Sequence, residues 1–67
     1  MREEKFLYFV NYNIDVVNKK MKVFYKDTFI EEIQLENNLS YNPVNEEKAH
    51  EIALNSELGK KLVKGEI

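Results

Sequence analysis

Apolar and polar residues alternate through Phe6–Val17, near the start of the chain. Because a β-strand points successive side chains to opposite faces, this alternation predicts one long strand with a continuous apolar stripe. At about 3.3 Å per residue it would be roughly twice the usual strand length, so we expect a bulge or a projecting end. Residues 1–5 are expected to form a flexible lead-in. The stripe consists of Phe6, Tyr8, Val10, Tyr12, Ile14 and Val16.

A second alternating run, Met21–Lys26, follows the first run after the polar residues Asn18–Lys20. Two such runs separated by about three turn-forming residues predict a β-hairpin. The two faces of this second strand are expected to carry Met21, Val23 and Tyr25 on one side and Lys22, Phe24 and Lys26 on the other.

The next segment, Phe29–Glu36, can be interpreted in two ways. Its alternation and its β-branched and aromatic content favour a third strand, with Phe29 on the same face as Ile33 and Leu35. However, Thr28 and Glu31 have the spacing of a capping box, which would instead start a helix. We favour the strand, because a helix here would meet Asn37-Asn38 in under three turns.

The C-terminal part is predicted to be helical after a loop at residues 37–45, which contains the single proline. Asn45 is a suitable N-cap, and Glu46 would place a negative charge at the positive end of a helix. One continuous helix to Lys64 would be poorly amphipathic and would contain a glycine, so we expect a break at Asn55-Ser56. This leaves two short helices, or an extended piece followed by a short helix, and a tail at residues 65–67.

These elements predict an α+β fold in one domain. The fold would be a small antiparallel sheet of about three strands, with one or two short C-terminal helices on one face. A chain of 67 residues buries only about 60% of the surface that its unfolded chain exposes, and its lack of cysteine rules out disulfide bonds as a source of stability. Tight packing or self-association as a homodimer would then supply stability.

Charge and hydropathy narrow the range of partners. A net charge of −2 argues against general nucleic-acid binding, which requires a basic surface. No signal peptide and no apolar stretch long enough to span a membrane is visible, so we expect a cytoplasmic protein.

No group of residues predicts catalysis. His50 is the single histidine, and it shares a predicted helix face with Glu46, but no second histidine or cysteine completes a metal site. The paired glutamates are sequence neighbours, a geometry that does not place an acid and a base across a cleft. We therefore expect neither an enzyme nor a cofactor.

Apolar residues on the second face of the predicted sheet mark a candidate binding surface. If the stripe packs against the helices, Leu7, Phe9 and Phe24 remain on the other side, where an apolar patch often marks an interface. Alternatively, the N-terminal arm or the loop at Leu39–Tyr41 covers them. A second candidate is the hairpin tip, where Lys19, Lys20 and Lys22 could bind phosphates while sheet aromatics stack on single-stranded bases.

The segment Asn45–Lys64 resembles part of the C-terminal domain of Gre-type transcript-cleavage factors. Lys22–Leu35 is also loosely similar to the strand pair that precedes this segment in that family. Within the segment, Ile52-Ala53 resembles the family's strand. The helical turn that follows is matched by Ser56, Leu58, Gly59, Lys60, Leu62 and Val63.

Two positions depart from the family pattern, because Glu57 replaces its proline and Lys64 its glycine. The acidic N-terminal coiled coil of the family has no counterpart, so the resemblance implies docking on RNA polymerase without cleavage activity. It also implies that Glu46–Ala53 is partly extended. We expect a small regulator or inhibitor that binds a larger protein through a sheet surface or a strand edge.

Overall fold

The computed structural model describes residues 2–65 and confirms the α+β fold with a three-stranded antiparallel sheet. A helix precedes the sheet and two helices follow it. Within the described residues no helix is long and apolar enough to cross a membrane. The elements are α1 (Glu3–Tyr8), β1 (Val10–Asp15), β2 (Lys20–Tyr25), β3 (Thr28–Gln34), α2 (Pro43–Asn55) and α3 (Glu57–Val63).

The three strands lie in sequence order, with β2 in the centre and β1 and β3 at the two edges. Val23 of β2 lies opposite Tyr12 of β1 and Glu31 of β3. The predicted hairpin is confirmed, and so is the assignment of the third segment as a strand rather than a helix. Lys26 turns the chain between β2 and β3 with a φ of 55°.

A β-bulge shifts the pairing of β3 by one residue. Val23 pairs with Glu31, but the next residue, Phe24, pairs with Phe29, so that Ile30 is the extra residue. Phe29 therefore joins Phe24 on the outer face of the sheet, where their ring centroids are 5.7 Å apart. The prediction that Phe29 shares the core face with Ile33 was wrong, because the bulge interrupts the two-residue period.

The core lies between one face of the sheet and the helices. The small side chains of Ala49 and Ala53 are fully buried and allow α2 to approach the sheet closely. The α2 helix lies mainly over β1 and β2. The buried apolar residues are Phe6, Met21, Val23, Tyr25, Leu35, Ala49 and Ala53.

The strand prediction was wrong for the first residues of Phe6–Val17, because Glu3–Tyr8 forms a helix and β1 begins only at Val10. Glu3–Lys5, expected in the flexible lead-in, belong to this helix. Phe6 is fully buried, and its ring stacks on that of Tyr25 at a centroid distance of 4.8 Å. Phe6 thus belongs to the core as predicted, but it reaches the core from a helix and not from the sheet.

The predicted stripe also ends earlier than expected, because β1 stops at Asp15. The backbone N–H of Asn18 donates a hydrogen bond to Oδ1 of Asp15 at 3.1 Å, and its Nδ2 donates to Oδ2 at 2.8 Å. These bonds lower the pKa of the Asp15 carboxyl, since they favour its charged form. They also close the turn, which leaves Val17 exposed together with Val16, the last residue of the predicted stripe.

Helix α2 begins at Pro43, so residues 43–45, which were predicted to be part of the loop 37–45, are helical. The N-cap is Asn42 and not Asn45: Oδ1 of Asn42 accepts a hydrogen bond from the backbone N–H of Asn45 at 2.9 Å. Asn45 is fully buried instead. Its Nδ2 donates to the backbone oxygens of Asn38 at 2.9 Å and Ser40 at 2.7 Å, which attaches the loop to the helix.

The predicted break at Asn55-Ser56 is confirmed. Ser56 caps α3, and its Oγ accepts a hydrogen bond from the backbone N–H of Gly59 at 3.0 Å. The expectation that Glu46–Ala53 is partly extended was wrong, because α2 is helical throughout this range. Of the predicted tail, Gly65 lies in a turn with a φ of 68°, and residues 66 and 67 lie outside the described residues.

Candidate functional site

The structure separates the three residues of the predicted apolar binding surface. Leu7 and Phe9 are partly buried and pack against the core cluster. Phe9 makes an edge contact with Tyr25 at 6.2 Å, and Nζ of Lys26 lies 4.8 Å from the Phe9 ring centroid. Phe24 lies on the opposite face of the sheet beside Phe29. These residues therefore do not form one surface.

Of the three predicted phosphate-binding lysines, two lie side by side on the outer face of the sheet. Lys20 and Lys22 are two residues apart on β2, whereas Lys19 lies in the preceding turn with a φ of 55°. Nζ of Lys20 is 3.2 Å from Oε2 of Glu32, and Asp15 is directly opposite Lys20 in the ladder. These carboxylates offset much of the positive charge.

Tyr41 contacts the β1 edge of the sheet at Ile14 and Tyr12. Its hydroxyl oxygen accepts a hydrogen bond from the backbone N–H of Ile14 at 3.0 Å. The Tyr41 ring also stacks on Tyr12 at 5.3 Å. Burial, followed by the nearby Glu46 carboxylate, raises the pKa of the Tyr12 hydroxyl. The loop before α2 thus takes up one outward backbone donor of β1 and places an aromatic ring where another strand would pair with this edge.

The β3 edge, in contrast, is open. The backbone N–H of Leu35 donates a hydrogen bond to the backbone oxygen of Lys19 at 2.7 Å. The backbone groups of Leu35 therefore point toward β2. Since bonding directions alternate along an antiparallel strand, Glu32 and Gln34 direct their backbone N–H and C=O groups away from β2. No other strand of the described chain lies beyond β3, so these groups are available to a partner strand.

A groove lies beside this open edge, between β3 and α2. It has a volume of about 560 Å³. Four of its residues lie on one face of α2 at intervals of three and four positions, as expected for neighbours on a helix. Because α2 lies mainly over β1 and β2, the inner face of β3 is left partly uncovered. The lining residues are Glu31, Ile33, Lys48, Glu51, Ile52 and Asn55.

Two further depressions adjoin the groove along β3, and each shares one lining residue with it. Glu31 is shared with a depression of about 410 Å³ beside Ile30 and Leu58, at the start of α3. Lys48 is shared with a depression of about 360 Å³ beside Gln34 and Leu35. After the bulge at Ile30 the edge is regular from Glu31 to Gln34, so it matches an extended segment of about 13 Å, and the adjoining depressions lie beyond both ends of this stretch.

The residues considered for metal binding form only a pair. Nε2 of His50 is 4.0 Å from Oε1 of Glu46 on the surface of α2. Within residues 2–65, no three acidic or histidine side chains are grouped so that they could hold a metal ion.

No family model, curated protein or solved structure matches the chain. The candidate site therefore rests on the geometry of β3 and α2. Sequence reasoning did not identify Glu31 or Ile52 as site residues, because each looked like an ordinary position on an amphipathic element. The available signal was Glu31 itself, a charged residue two positions before Ile33 on the face that was predicted to be buried.

Proposed function

We propose that this chain is a non-enzymatic protein-binding module that accepts an extended segment of its partner as a fourth strand beside β3. Strand addition supplies affinity through main-chain hydrogen bonds, while the groove contacts alternate side chains of the added segment. Binding of this kind fits a small regulator or inhibitor of a larger protein machine.

The observation that carries the proposal is the difference between the two edges of the sheet. Tyr41 occupies the β1 edge through its bond to Ile14, whereas Glu32 and Gln34 direct unpaired backbone groups outward beside a groove. Natural proteins usually block a regular edge strand, because it pairs readily with other chains. An open edge beside a groove that contains the apolar side chains of Ile33 and Ile52 therefore supports a binding role.

The test is removal of one outward donor by Glu32→Pro. Proline lacks the backbone N–H, and at this position the ladder with β2 does not use that group, as is usual for proline on edge strands. Glu32→Gln is the matched control, because it also removes the charge that faces Lys20 but keeps the N–H. Both variants are immobilised and used to capture proteins from a lysate of the source cells.

We expect a partner that is retained by the wild type and Glu32→Gln but lost from Glu32→Pro. Circular dichroism and amide spectra check that Glu32→Pro keeps the fold. Equal capture by all three proteins, or no specific capture by any of them, would contradict strand addition at β3. RNA polymerase is the partner suggested by the Gre-like resemblance, and its subunits are identified in the same experiment by mass spectrometry.

A second candidate function is binding of single-stranded nucleic acid on the outer face of the sheet. The observation that favours it is the aromatic pair Phe24 and Phe29, the latter 53% exposed, on the same face as Lys20 and Lys22. Such a surface would stack bases and contact phosphates.

Fluorescence anisotropy with a labelled oligonucleotide tests this second function. Binding should weaken steeply with salt and be lost in both Phe24→Ala and Lys22→Glu. Salt-independent binding, or no binding at low salt, would exclude it.

A further inference from the structure

The charge of the groove narrows the class of partner that fits the β3 edge. Glu31 and Glu51 face the groove from its two walls, and Glu57 lies beside its continuation at the start of α3. Lys48 is the one cation among the residues that line the groove within the described chain. The edge therefore presents an excess of negative charge next to the apolar side chains of Ile33 and Ile52.

The order of side chains along β3 sets the spacing that a partner must match. Glu31 and Ile33 lie two residues apart on the inner face of the strand. In an added strand, the two side chains that enter the groove opposite them are also two residues apart. A lysine or arginine would lie beside Glu31 and an aliphatic residue beside Ile33, with one residue between them on the outer face.

A second copy of this chain is a poor match for the same edge. Two antiparallel β3 strands related by a two-fold axis at Glu32 place the two Glu32 residues directly opposite each other. An axis at Glu31 does the same for Glu31, and directly opposed like charges are destabilising. An axis at Ile33 avoids this pairing of like charges. However, the two strands would then pair only over residues 32–34, because β3 ends at Gln34.

We infer that the natural occupant of the β3 edge is a cationic extended segment, in which a lysine or arginine and an aliphatic residue are separated by one residue. The inference rests on the proposed function, strand addition at β3. It adds the chemistry and the spacing of the partner, which the open edge alone does not specify.

The test uses synthetic peptides of the same length as β3, titrated into isotopically labelled protein. In the first peptide, the side chains that would enter the groove are alternately lysine and valine, and threonine stands between them. This pattern can place a lysine beside Glu31 and a valine beside Ile33 whether the peptide binds parallel or antiparallel to β3. The second replaces each lysine with glutamate, and the third has the composition of the first in an order that destroys the spacing. The readouts are amide chemical shifts and hydrogen exchange.

We expect the first peptide to slow exchange of the Glu32 and Gln34 amides. It should bind at least about fivefold more tightly than the glutamate peptide at low salt, since exposed ion pairs contribute modestly and are screened. Glu31→Lys should remove or invert this preference. The control Glu4→Lys makes the same charge change on exposed α1, away from the groove, and should leave the preference intact.

The outcomes separate the two proposals. Equal binding of the lysine and glutamate peptides, with protection of the Glu32 and Gln34 amides, would overturn the cationic partner while strand addition stands. Shift changes without protection of those amides, or no binding of any peptide, would overturn both. Concentration-dependent protection of the same amides in the protein alone would assign the edge to a second copy and overturn the inference.

Discussion

Gly59→Ala is expected to destabilise the protein, although alanine is the better helix former. Gly59 lies in α3 where this helix crosses the end of α2, and it is buried. A Cβ atom at this position would overlap the backbone oxygen of Ala53 and lie 3.0 Å from its carbonyl carbon. That oxygen also accepts a hydrogen bond from the backbone N–H of Ser56 at 3.2 Å, so it is fixed at the corner between the helices.

The expected magnitude follows from two opposing effects. Alanine gains about 1 kcal/mol over glycine in a helix interior. Overpacking costs about 1–3 kcal/mol, and the upper end applies because the clash is with backbone and no flexible side chain can move away. The net loss of about 2 kcal/mol is large for a domain of this size, whose total stability is of the order of 3–10 kcal/mol.

Thermal unfolding followed by circular dichroism measures this loss. A decrease of about 2 kcal/mol should lower Tm by roughly 8–16 °C in a domain of 60–100 residues. Lys60→Ala is the matched control, because Lys60 is the exposed neighbour in the same helix and should change stability by less than about 0.5 kcal/mol. A Gly59→Ala variant with the wild-type Tm or a higher one would refute the tight helix crossing.

Three further changes test other parts of the structure. Phe6→Ala should cost about 3–5 kcal/mol in urea unfolding, because the fully buried ring is lost from its stack on Tyr25; a loss below 1 kcal/mol would contradict its position in the core. Asn45→Ala should cost about 2 kcal/mol and speed hydrogen exchange in α2 at its first turn, since two hydrogen bonds to the loop are lost. Asp15 has a lowered pKa because Asn18 donates to it, so it stabilises the fold above the ordinary aspartate pKa, and this contribution disappears as the pH falls through the lowered value. In Asp15→Asn, thermal unfolding at a series of pH values should therefore show a weaker acid dependence than in the wild type, and identical pH profiles would refute this role.

The elements that could be predicted from the sequence are those whose local signals agree with their packing. In β2, alternation places Met21 and Val23 in the core, and the structure buries both. Ser56 carries its capping signal in its own side chain, so the break between the last two helices was also predictable.

The first helix could not be predicted in this way, because its pattern fits two periods. Phe6 and Tyr8 continue the alternation of β1, but Phe6 and Phe9 also have the three-residue spacing of a helix face. The stack of Phe6 on Tyr25, a residue distant in sequence, distinguishes between them. Local alternation carries no information about that contact.

The β-bulge in β3 made the predicted face of Phe29 wrong for a different reason. One extra residue, Ile30, reverses the face of every residue before it, so Phe29 moved from the predicted core to the outer face. No glycine or proline marks the bulge in the sequence. The exposed pair of Phe24 and Phe29 follows directly from this shift.

The open edge of β3 depends on how the rest of the chain packs against the sheet. Asn45 attaches the loop to α2, and the same loop places Tyr41 on the β1 edge. Ala49 and Ala53 bring α2 close to the sheet on that side. Because one helix cannot cover three strands, the inner face of β3 is left partly exposed. The backbone groups on the free edge of β3 are also left unpaired. Glu31 and Glu32 make this edge unfavourable for a second copy, whereas a cationic strand would pair its charges with theirs.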